Sequence, residues 1–358
     1  MNQSSNLKLQ ALAIGSLPHD NVEEAMLLVK KNFSEIPFFP QLANINKSED
    51  MTFQFLEGLP SFLFSKLDNF YIDSESDEFF EALEEFFLDY EEIISDINSE
   101  KLEKYGISEQ FSSSFPIFEQ IIRQTKPQFA KGQIIGPFTL ASILNDKNGK
   151  SALYDETLRE LIVKFLTLKA LWQIRRIKSA NSDTTPIIFM DEPSISQLGT
   201  SAYLTIEDYE VANMLREVSD VIKDNGGLSA IHCCGKCDWV LPIAINVDII
   251  NFDAYAYLEH FSLFWKVIEK HLNRGGKIAW GLVPTLDSVA LEKITLDDLV
   301  QNFENSVKYL TKKGIDEKLI IDNSLVTPSC GAGSLNVELA EKAMSLVFEL
   351  SNELRKRF

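Results

Sequence analysis

The chain has 358 residues and carries 34 basic against 53 acidic side chains, a formal net charge of −19. This acidic balance excludes the basic face of a nucleic-acid-binding protein and predicts repulsion from a negatively charged membrane surface. Hydrophobic residues make up 45% of the sequence, enough for a large core, and the length suits two domains or one α/β barrel of at least about 250 residues.

The first ten residues are polar and lack the apolar segment of a signal peptide. No apolar run approaches the ~20 residues that span a bilayer. Three of the four cysteines crowd into five positions, from Cys233 to Cys237, unlike the spread of a disulfide framework. We therefore expect a cytoplasmic protein with reduced cysteines, and neither nucleic acid nor membrane as a partner.

Short apolar runs alternate with longer segments of 3.6-residue periodicity along most of the chain. The eight candidate strands are Ala11–Gly15, Pro37–Leu42, Gly132–Gly136, Pro186–Met190, Gly227–His232, Val247–Phe252, Lys277–Gly281 and Leu319–Asp322. The main helical segments are Glu156–Ala180, Glu207–Lys223, Phe261–Asn273, Leu296–Lys312 and Val337–Arg355. This alternation predicts an α/β fold, a single (β/α)8 TIM barrel over residues 1–358. A doubly wound open sheet has the same periodicity and stays open as the alternative.

One region breaks the alternation, between the second and third candidate strands. From Asp73 to Glu103 the sequence holds 13 acidic residues interleaved with aromatic and aliphatic ones. We predict one or two amphipathic helices there, as part of a helical insertion over residues 73–128. Two interpretations of this acidic insertion stay open: a solvated helical flank, and a docking surface for a partner protein.

The sulfur of the chain is concentrated at two places, the segment Ile231–Cys237 and Cys330. Alternate residues of a strand face the same way, so His232 and Cys234 would point together and Cys233 to the opposite face. Chemistry in a barrel occurs where strands end and βα loops begin, and we expect both places at such ends. Zinc favours imidazole and thiolate ligands, with three protein groups and one exchangeable position at catalytic sites. We therefore predict a zinc site formed by His232, Cys234 and Cys330.

Other interpretations of these cysteines stay open. Cys234 and Cys237 have the spacing of half a zinc ribbon or of a redox pair, although a ribbon needs a second pair and only Cys330 remains. Buried thiols without any ligand are the simplest alternative. Asp253 follows the candidate strand Val247–Phe252, and it is either a fourth metal ligand or the cap of the next helix.

Short polar motifs follow most of the candidate strands. In chain order the motifs are Ile14-Gly15-Ser16-Leu17-Pro18, Gly136-Pro137-Phe138-Thr139, Asp191-Glu192-Pro193, His232-x-Cys234, Asp253 and Cys330-Gly331. Most of them, taken alone, are ordinary turns or helix caps. Together and in this order they resemble the catalytic barrel of cobalamin-independent methionine synthase. More widely they are similar to the superfamily that contains uroporphyrinogen decarboxylase and the zinc-dependent corrinoid-to-thiol methyltransferases.

The resemblance implies a zinc-dependent methyltransferase that acts on a thiol similar to homocysteine. It implies zinc bound by His232, Cys234 and Cys330, with Asp253 in the place of a carboxylate ligand. The residues that it implies for the amino-acid part of the acceptor are Ile14, Gly15, Ser16, Glu49 and Asp191. Among these, Asp191 has the catalytic role and suits an ammonium group, while Ser16 and the backbone near Gly15 suit a carboxylate.

Charge explains how such a site would work. A thiol with a pKa near 8.5 is mostly protonated at neutral pH, and binding to zinc deprotonates it. Two thiolates and one carboxylate around a divalent cation leave one net negative charge, which keeps the bound substrate sulfur nucleophilic. The carboxylate would leave the metal as the substrate thiolate arrives.

Three departures from the family's pattern bear on the metal site and on the methyl donor. Asp253 stands where glutamate is usual, and the segment Gly281–Asp287 lacks the histidine that donates a proton after the seventh strand. At 358 residues we also expect no second, N-terminal barrel like that of the folate enzymes. The last two departures favour a methyl-corrinoid, on a partner protein, over methyltetrahydrofolate.

Two other functions stay open at this stage. One is an enzyme similar to uroporphyrinogen decarboxylase, which needs basic residues to hold many carboxylates, although no arginine precedes Arg123. The other is a zinc-binding barrel without catalysis, which acts through a protein partner at the acidic insertion.

Overall fold

The computed structural model of the chain describes residues 7–66 and 69–358, in which strands and helices alternate. The strands are β1 (Phe62–Lys66), β2 (Asn69–Ile72), β3 (Phe129–Ile135), β4 (Asn145–Asp146), β5 (Thr185–Asp191), β6 (Leu228–Cys233), β7 (Ile249–Phe252), β8 (Lys277–Val283) and β9 (Ser324–Pro328). The helices are α1 (Val22–Asn32), α2 (Asp77–Ser95), α3 (Phe115–Thr125), α4 (Pro137–Ile143), α5 (Glu156–Ala180), α6 (Asp208–Asp224), α7 (Val240–Ala244), α8 (Ala254–Ser262), α9 (Trp265–Asn273), α10 (Ser288–Lys293), α11 (Leu296–Thr311), α12 (Glu317–Asp322) and α13 (Val337–Arg357).

Six strands form one curled parallel sheet in the order β3-β5-β6-β7-β8-β9. These six strands have the same order in the sheet as along the chain, with β4 of the other sheet lying between β3 and β5. Helices lie between them, as in repeated βαβ units. A separate three-stranded sheet pairs β1 antiparallel with β2 and β2 parallel with β4. The predicted α/β fold with parallel strands is therefore confirmed, but only six strands form the parallel ladder.

The first two candidate strands, Ala11–Gly15 and Pro37–Leu42, make isolated bridges instead of ladders. Ala11 is bridged to Val326 of β9, and Phe38 is bridged to Lys131 of β3, both in parallel. A third parallel bridge joins Ser16 to Gln41, between the two segments. Each extended segment thus makes one bridge to an edge strand of the six-stranded sheet.

The prediction for the eighth strand was wrong. Leu319–Asp322 lies in helix α12, and the strand is β9, which begins two residues later. The side chain of Asp316 caps α12 by accepting a hydrogen bond from the Leu319 N–H at 2.8 Å. An apolar run this short has no readable period, so the cap decides between helix and strand. The predicted helix Phe261–Asn273 is also interrupted, because α8 ends at Ser262 and α9 begins at Trp265.

The inner face of the sheet changes from apolar to polar along the strands. Its apolar part is a cluster of fully buried side chains that includes Phe129, Ile187, Phe189, Ala230, Ile249, Ala279 and Leu325. Two residues further along their strands, the same alternation brings Asp191, His232, Asn251 and Thr327 to the carboxyl ends. In the ladder Asp191 is opposite His232, and His232 is opposite Asn251. Polar groups therefore collect at the end of the sheet where the βα loops begin.

Helix α2 lies in the acidic insertion and is amphipathic. It buries Phe79, Phe86 and Ile93, whereas Phe80 and Leu88 are exposed. Its acidic groups Glu85, Asp89 and Glu92 form ion pairs with Lys101 and Lys104. Within residues 7–66 and 69–358, no helix is both long enough and apolar enough to cross a membrane.

Candidate metal centre

The three predicted metal ligands come together at the carboxyl ends of two strands. His232 lies in β6, Cys234 directly follows that strand, and Cys330 follows β9. Their ligand atoms, one imidazole nitrogen and two sulfurs, all lie within 4.8 Å of one another. His232 is buried, while both cysteines are half-buried. One nitrogen and two accessible sulfurs form the type of donor set that zinc prefers when it keeps a position for another ligand.

Asn251 orients the imidazole of His232. The Asn251 side-chain amide nitrogen donates to the Ala279 carbonyl and to the Thr327 hydroxyl, both at 2.8 Å. A main-chain carbonyl can only accept, so the amide oxygen of Asn251 must face His232, and it contacts Nδ1. Nδ1 therefore carries a proton, and in the neutral imidazole that binds a metal Nε2 presents the lone pair. Among the described residues that buried Nε2 has no hydrogen-bond partner, as expected of an atom that binds a metal.

The charges of the three groups depend on one another. A hydrogen bond from the Cys330 thiol lowers the pKa of Cys234 to about 4, and the same bond raises the pKa of Cys330. Burial opposes the charged form of His232, but the neighbouring Cys234 sulfur and Asp191 carboxylate outweigh it and raise the pKa of His232 to about 9. Without a metal, the Cys330 thiol and the His232 ring therefore carry protons beside the Cys234 thiolate, and a bound cation would displace those protons.

The loop of Cys330 is fixed by hydrogen bonds to the end of β8. The Thr285 hydroxyl donates to the Cys330 carbonyl at 2.9 Å and accepts from the Cys330 N–H at 3.0 Å. The backbone here is closely packed, because a Cβ atom at Gly281 would lie 2.5 Å from the Phe252 carbonyl oxygen and 2.9 Å from the Ser329 Cα. Only glycine fits this approach of β8 to its neighbours.

The two remaining cysteines lie apart from the three-residue cluster. Cys233 and Cys237 are both buried, and the Cys237 thiol donates a hydrogen bond that lowers the pKa of Cys233. Neither belongs to the group of ligand atoms within 4.8 Å of one another. Cys237 therefore contacts Cys233, and Cys234 contacts Cys330, so the C-x-x-C spacing does not define a pair.

Asp253 caps helix α8. Its carboxylate accepts a hydrogen bond from the Ala256 N–H at 2.9 Å, and burial raises its pKa to about 6. The described groups within 4.8 Å of one another do not include this carboxylate. Its charge is nevertheless close enough to Cys234 and His232 for each to influence it. The cap is thus observed, and the role as a fourth ligand stays a prediction.

Ser16 lies against the loop that carries Cys330. Its hydroxyl accepts a hydrogen bond from the Gly333 N–H at 3.2 Å, and its carbonyl accepts one from the Ala332 N–H at 2.9 Å. A Cβ atom at Gly331 would collide with the Ser16 hydroxyl, which explains the glycine after Cys330. No described backbone hydrogen bond is donated by the N–H group of Gly15 or of Ser16.

The two predicted acidic contacts have different surroundings. Asp191 is buried beside His232 in the ladder, and its Oδ1 has no hydrogen-bond partner among the residues described. Burial raises the pKa of Asp191 despite the positive charges of Lys131 and His232. Glu49 is also buried, and burial raises its pKa. Its Oε1 accepts a hydrogen bond from the Ser113 N–H at 3.2 Å, while its Oε2 has no partner among the residues described. The described hydrogen bonds connect Asp191, and not Glu49, to the neighbourhood of the cluster through the β5–β6 ladder.

Glu192 gives the other strand-end motifs a structural role. Its carboxylate accepts hydrogen bonds from the Phe138 and Thr139 N–H groups, both at 2.9 Å, and from the Thr139 hydroxyl at 2.6 Å. These N–H groups belong to the first turn of α4, where a carboxylate is favourable. A Cβ atom at Gly136 would collide with this side chain. The two motifs Gly136–Thr139 and Asp191–Pro193 are therefore complementary.

The sequence analysis missed Lys131, Asn251 and Thr285. Lys131 lies fully buried in β3, and its ammonium donates to the Ile14 carbonyl and to the Gln133 side-chain oxygen. Burial lowers the pKa of Lys131 to about 8. A charged residue within a short, otherwise uncharged strand was the available signal. Strand alternation from Ile249 would have identified Asn251 in the same way.

No family model matches the chain. Its sequence is similar to that of a methionine synthase from Methanocaldococcus jannaschii, with 27% identity over 232 residues. The aligned region covers 63% of this chain and 65% of that protein, just under two thirds of its length.

Proposed function

We propose that this protein is a zinc-dependent methyltransferase that transfers a methyl group to the sulfur of homocysteine. The observation that carries the proposal is the buried His232 imidazole: one of its ring nitrogens lies within 4.8 Å of the Cys234 and Cys330 sulfurs, and its Nε2 has no described hydrogen-bond partner. The similarity to a protein named methionine synthase supports the same reaction class.

We infer that the fold is a complete (β/α)8 barrel. The parallel bridges Ala11–Val326, Ser16–Gln41 and Phe38–Lys131 connect the two edge strands β9 and β3 through the first two extended segments. Such closure would bring all the βα loops to one end, around His232 and the two cysteines.

The protein's own donor atoms would set the reactivity at this centre. Bound zinc would supply a Lewis acid that keeps a thiol sulfur deprotonated near neutral pH. Cys234 and Cys330 would contribute two thiolates, and Asp253 is the carboxylate that we propose as the exchangeable fourth donor. Three negative donors around a divalent cation favour a sulfur that remains nucleophilic.

Two groups near the cluster complement the amino-acid part of homocysteine. Asp191 presents an oxygen with no described partner next to His232, and a carboxylate there suits an ammonium group. The N–H groups of Gly15 and Ser16, which donate to no described acceptor, suit the substrate carboxylate. Ile14 contributes the carbonyl that precedes them, and Glu49 is proposed as an outer contact.

A methyl-corrinoid, carried by a partner protein, is the donor that we propose. The resemblance implies a proton-donating histidine in the segment after β8. In this chain that segment contributes Thr285, whose hydroxyl donates a hydrogen bond to the Cys330 carbonyl. Departure of an amine such as the folate nitrogen needs a proton, whereas departure of a reduced corrinoid does not.

The test is a matrix of methyl donors and acceptors combined with metal analysis on the same preparation. Methylcobalamin and methyltetrahydrofolate are each offered with homocysteine and with a panel of other thiols. We expect methionine from methylcobalamin and homocysteine, and about one zinc per chain. Zinc in a folded protein that methylates no thiol from either donor would contradict the proposal and support a non-catalytic zinc-binding barrel.

A further inference from the structure

We propose that Lys131 is a positioning residue that sets the affinity for the amino-acid end of the acceptor, by fixing the peptide group between Ile14 and Gly15. This inference rests on the proposed function, because it assumes an acceptor with a carboxylate near Gly15 and Ser16.

Lys131 lies in β3, at one edge of the six-stranded sheet. Its side chain is fully buried, and its ammonium lies 4.9 Å from the centre of the Phe189 ring. It donates to the Ile14 carbonyl and, at 2.7 Å, to the Gln133 side-chain oxygen. Gln133 in turn donates to the Phe39 carbonyl at 3.0 Å. One lysine therefore joins β3 to both of the extended segments at the edge of the sheet.

The geometry of the peptide bond makes this contact directional. The Ile14 carbonyl and the Gly15 N–H belong to one planar trans peptide, in which they point in opposite directions. Because Lys131 binds the carbonyl, the Gly15 N–H is turned away from Lys131. That N–H and the next one, of Ser16, donate to no described acceptor. Lys131 thus orients the Gly15 N–H directly, and we place the carboxylate of the acceptor at this N–H and the adjacent one of Ser16.

Lys169 offers a matched control. It is also fully buried, and it also donates to two acceptors, the Glu57 and Gly106 carbonyls, both at 2.6 Å. Its contacts fix α5 to two loops and include neither the Ile14–Ser16 segment nor the metal cluster. Replacing either lysine by methionine removes the same buried charge and leaves carbonyl acceptors without a donor. Only the Lys131→Met change should affect the acceptor.

The experiment compares two thiols in zinc-loaded wild-type, Lys131→Met and Lys169→Met proteins. Homocysteine has an amino-acid end, and 2-mercaptoethanol does not. For Lys131→Met we expect the Kd of homocysteine by calorimetry, and its KM, to rise roughly ten- to hundredfold, with kcat within about threefold of wild type. The constants for 2-mercaptoethanol and the zinc content should not change, and Lys169→Met should leave both thiols unaffected.

Any of four outcomes would overturn the inference. Equal weakening of both thiols, or the same selective loss in Lys169→Met, would mean a general structural effect. Unchanged homocysteine affinity in a folded Lys131→Met protein would mean that the contact is irrelevant. Wild-type protein that binds zinc but no homocysteine would overturn the proposed function, and this inference with it. If Lys131→Met does not fold, Lys131→Gln, which retains an N–H donor, is used and should give the same selective shift with a smaller size.

Discussion

Two pairs of cysteines lie on opposite sides of β6 and differ in nearly every property. On the inner side, Cys234 and Cys330 are half-buried beside His232, and the pKa of Cys234 is lowered to about 4 by the Cys330 thiol. On the outer side, Cys233 and Cys237 are buried, and burial raises the pKa of Cys237. Three of these residues lie within five positions, so the face of the strand, and not the local sequence, separates a thiol beside His232 from a core thiol.

The largest expected difference between the two pairs is in zinc content. Replacing Cys234 or Cys330 by serine removes a soft ligand, so we expect about one zinc per chain to fall to nearly none. Cys233→Ser and Cys237→Ser should retain the metal. Metal analysis after gel filtration measures both sets. Zinc lost equally from all four variants would remove the distinction between the pairs.

Alkylation of the metal-free protein should separate the pairs by pH. A thiolate reacts and a thiol does not, and with a pKa of about 4 Cys234 remains a thiolate from pH 8 down to pH 5. Its reaction rate with iodoacetamide should be nearly constant over that range, whereas an ordinary thiol slows by roughly tenfold per unit below a pKa of about 8.5. Cys233 and Cys237 should remain unlabelled. Mass spectrometry of the peptides gives the rates, and zinc should protect Cys234. A rate at Cys234 that falls as steeply as that of an ordinary thiol would contradict the assignment.

Asn251 distinguishes the inner pair further, because its side chain orients the neighbouring His232. Asn251→Leu removes the acceptor that keeps the His232 proton on Nδ1, so we expect zinc affinity to fall roughly 10- to 100-fold. Thr327→Val removes only one of the two hydrogen bonds donated by the Asn251 amide and should have a smaller effect. Competition with a chromophoric chelator measures the affinities. Equal zinc affinity in Asn251→Leu and wild type would show that the imidazole needs no such support.

Asp253 should give the smallest effect, and two substitutions separate its roles. Asp253→Asn retains a side-chain oxygen that can cap α8 but removes the carboxylate, so we expect a roughly tenfold weaker zinc affinity and little loss of stability. Asp253→Ala removes the cap as well and should lower the free energy of unfolding by about 1 kcal/mol. Unchanged zinc affinity in Asp253→Asn would leave Asp253 as a helix cap alone.

The sequence allowed prediction that His232 and Cys234 point together, because alternation along β6 needs no long-range information. His232 and Cys234 are two residues apart, and the strand geometry sorts them from Cys233. Cys330 was predicted to lie beside them although the sequence pattern misplaced the strand before it. The prediction survived because both Leu319–Asp322 and β9 end before that residue. A short apolar run has no period, and the Asp316 cap that makes it helical was overlooked.

What could not be predicted depends on contacts between distant parts of the chain. Lys131 and Ile14 are 117 positions apart, and they meet only when the first extended segment, which is bridged to β9, approaches β3 at the other edge of the sheet. The orientation of the Asn251 side chain depends on hydrogen bonds to Thr327 and Ala279, which lie on two other strands. Ala11–Gly15 has the composition of a strand, yet it makes one bridge and no ladder, and nothing in its local pattern indicates this.

The most direct test of the central claim is X-ray absorption at the zinc edge, with and without homocysteine. The account predicts two sulfur neighbours near 2.3 Å in the free protein, from Cys234 and Cys330, and a third when homocysteine is added. Loss of one nitrogen or oxygen neighbour should accompany that gain. A sulfur count that stays at two with saturating homocysteine, or a zinc bound by nitrogen and oxygen alone, would contradict it.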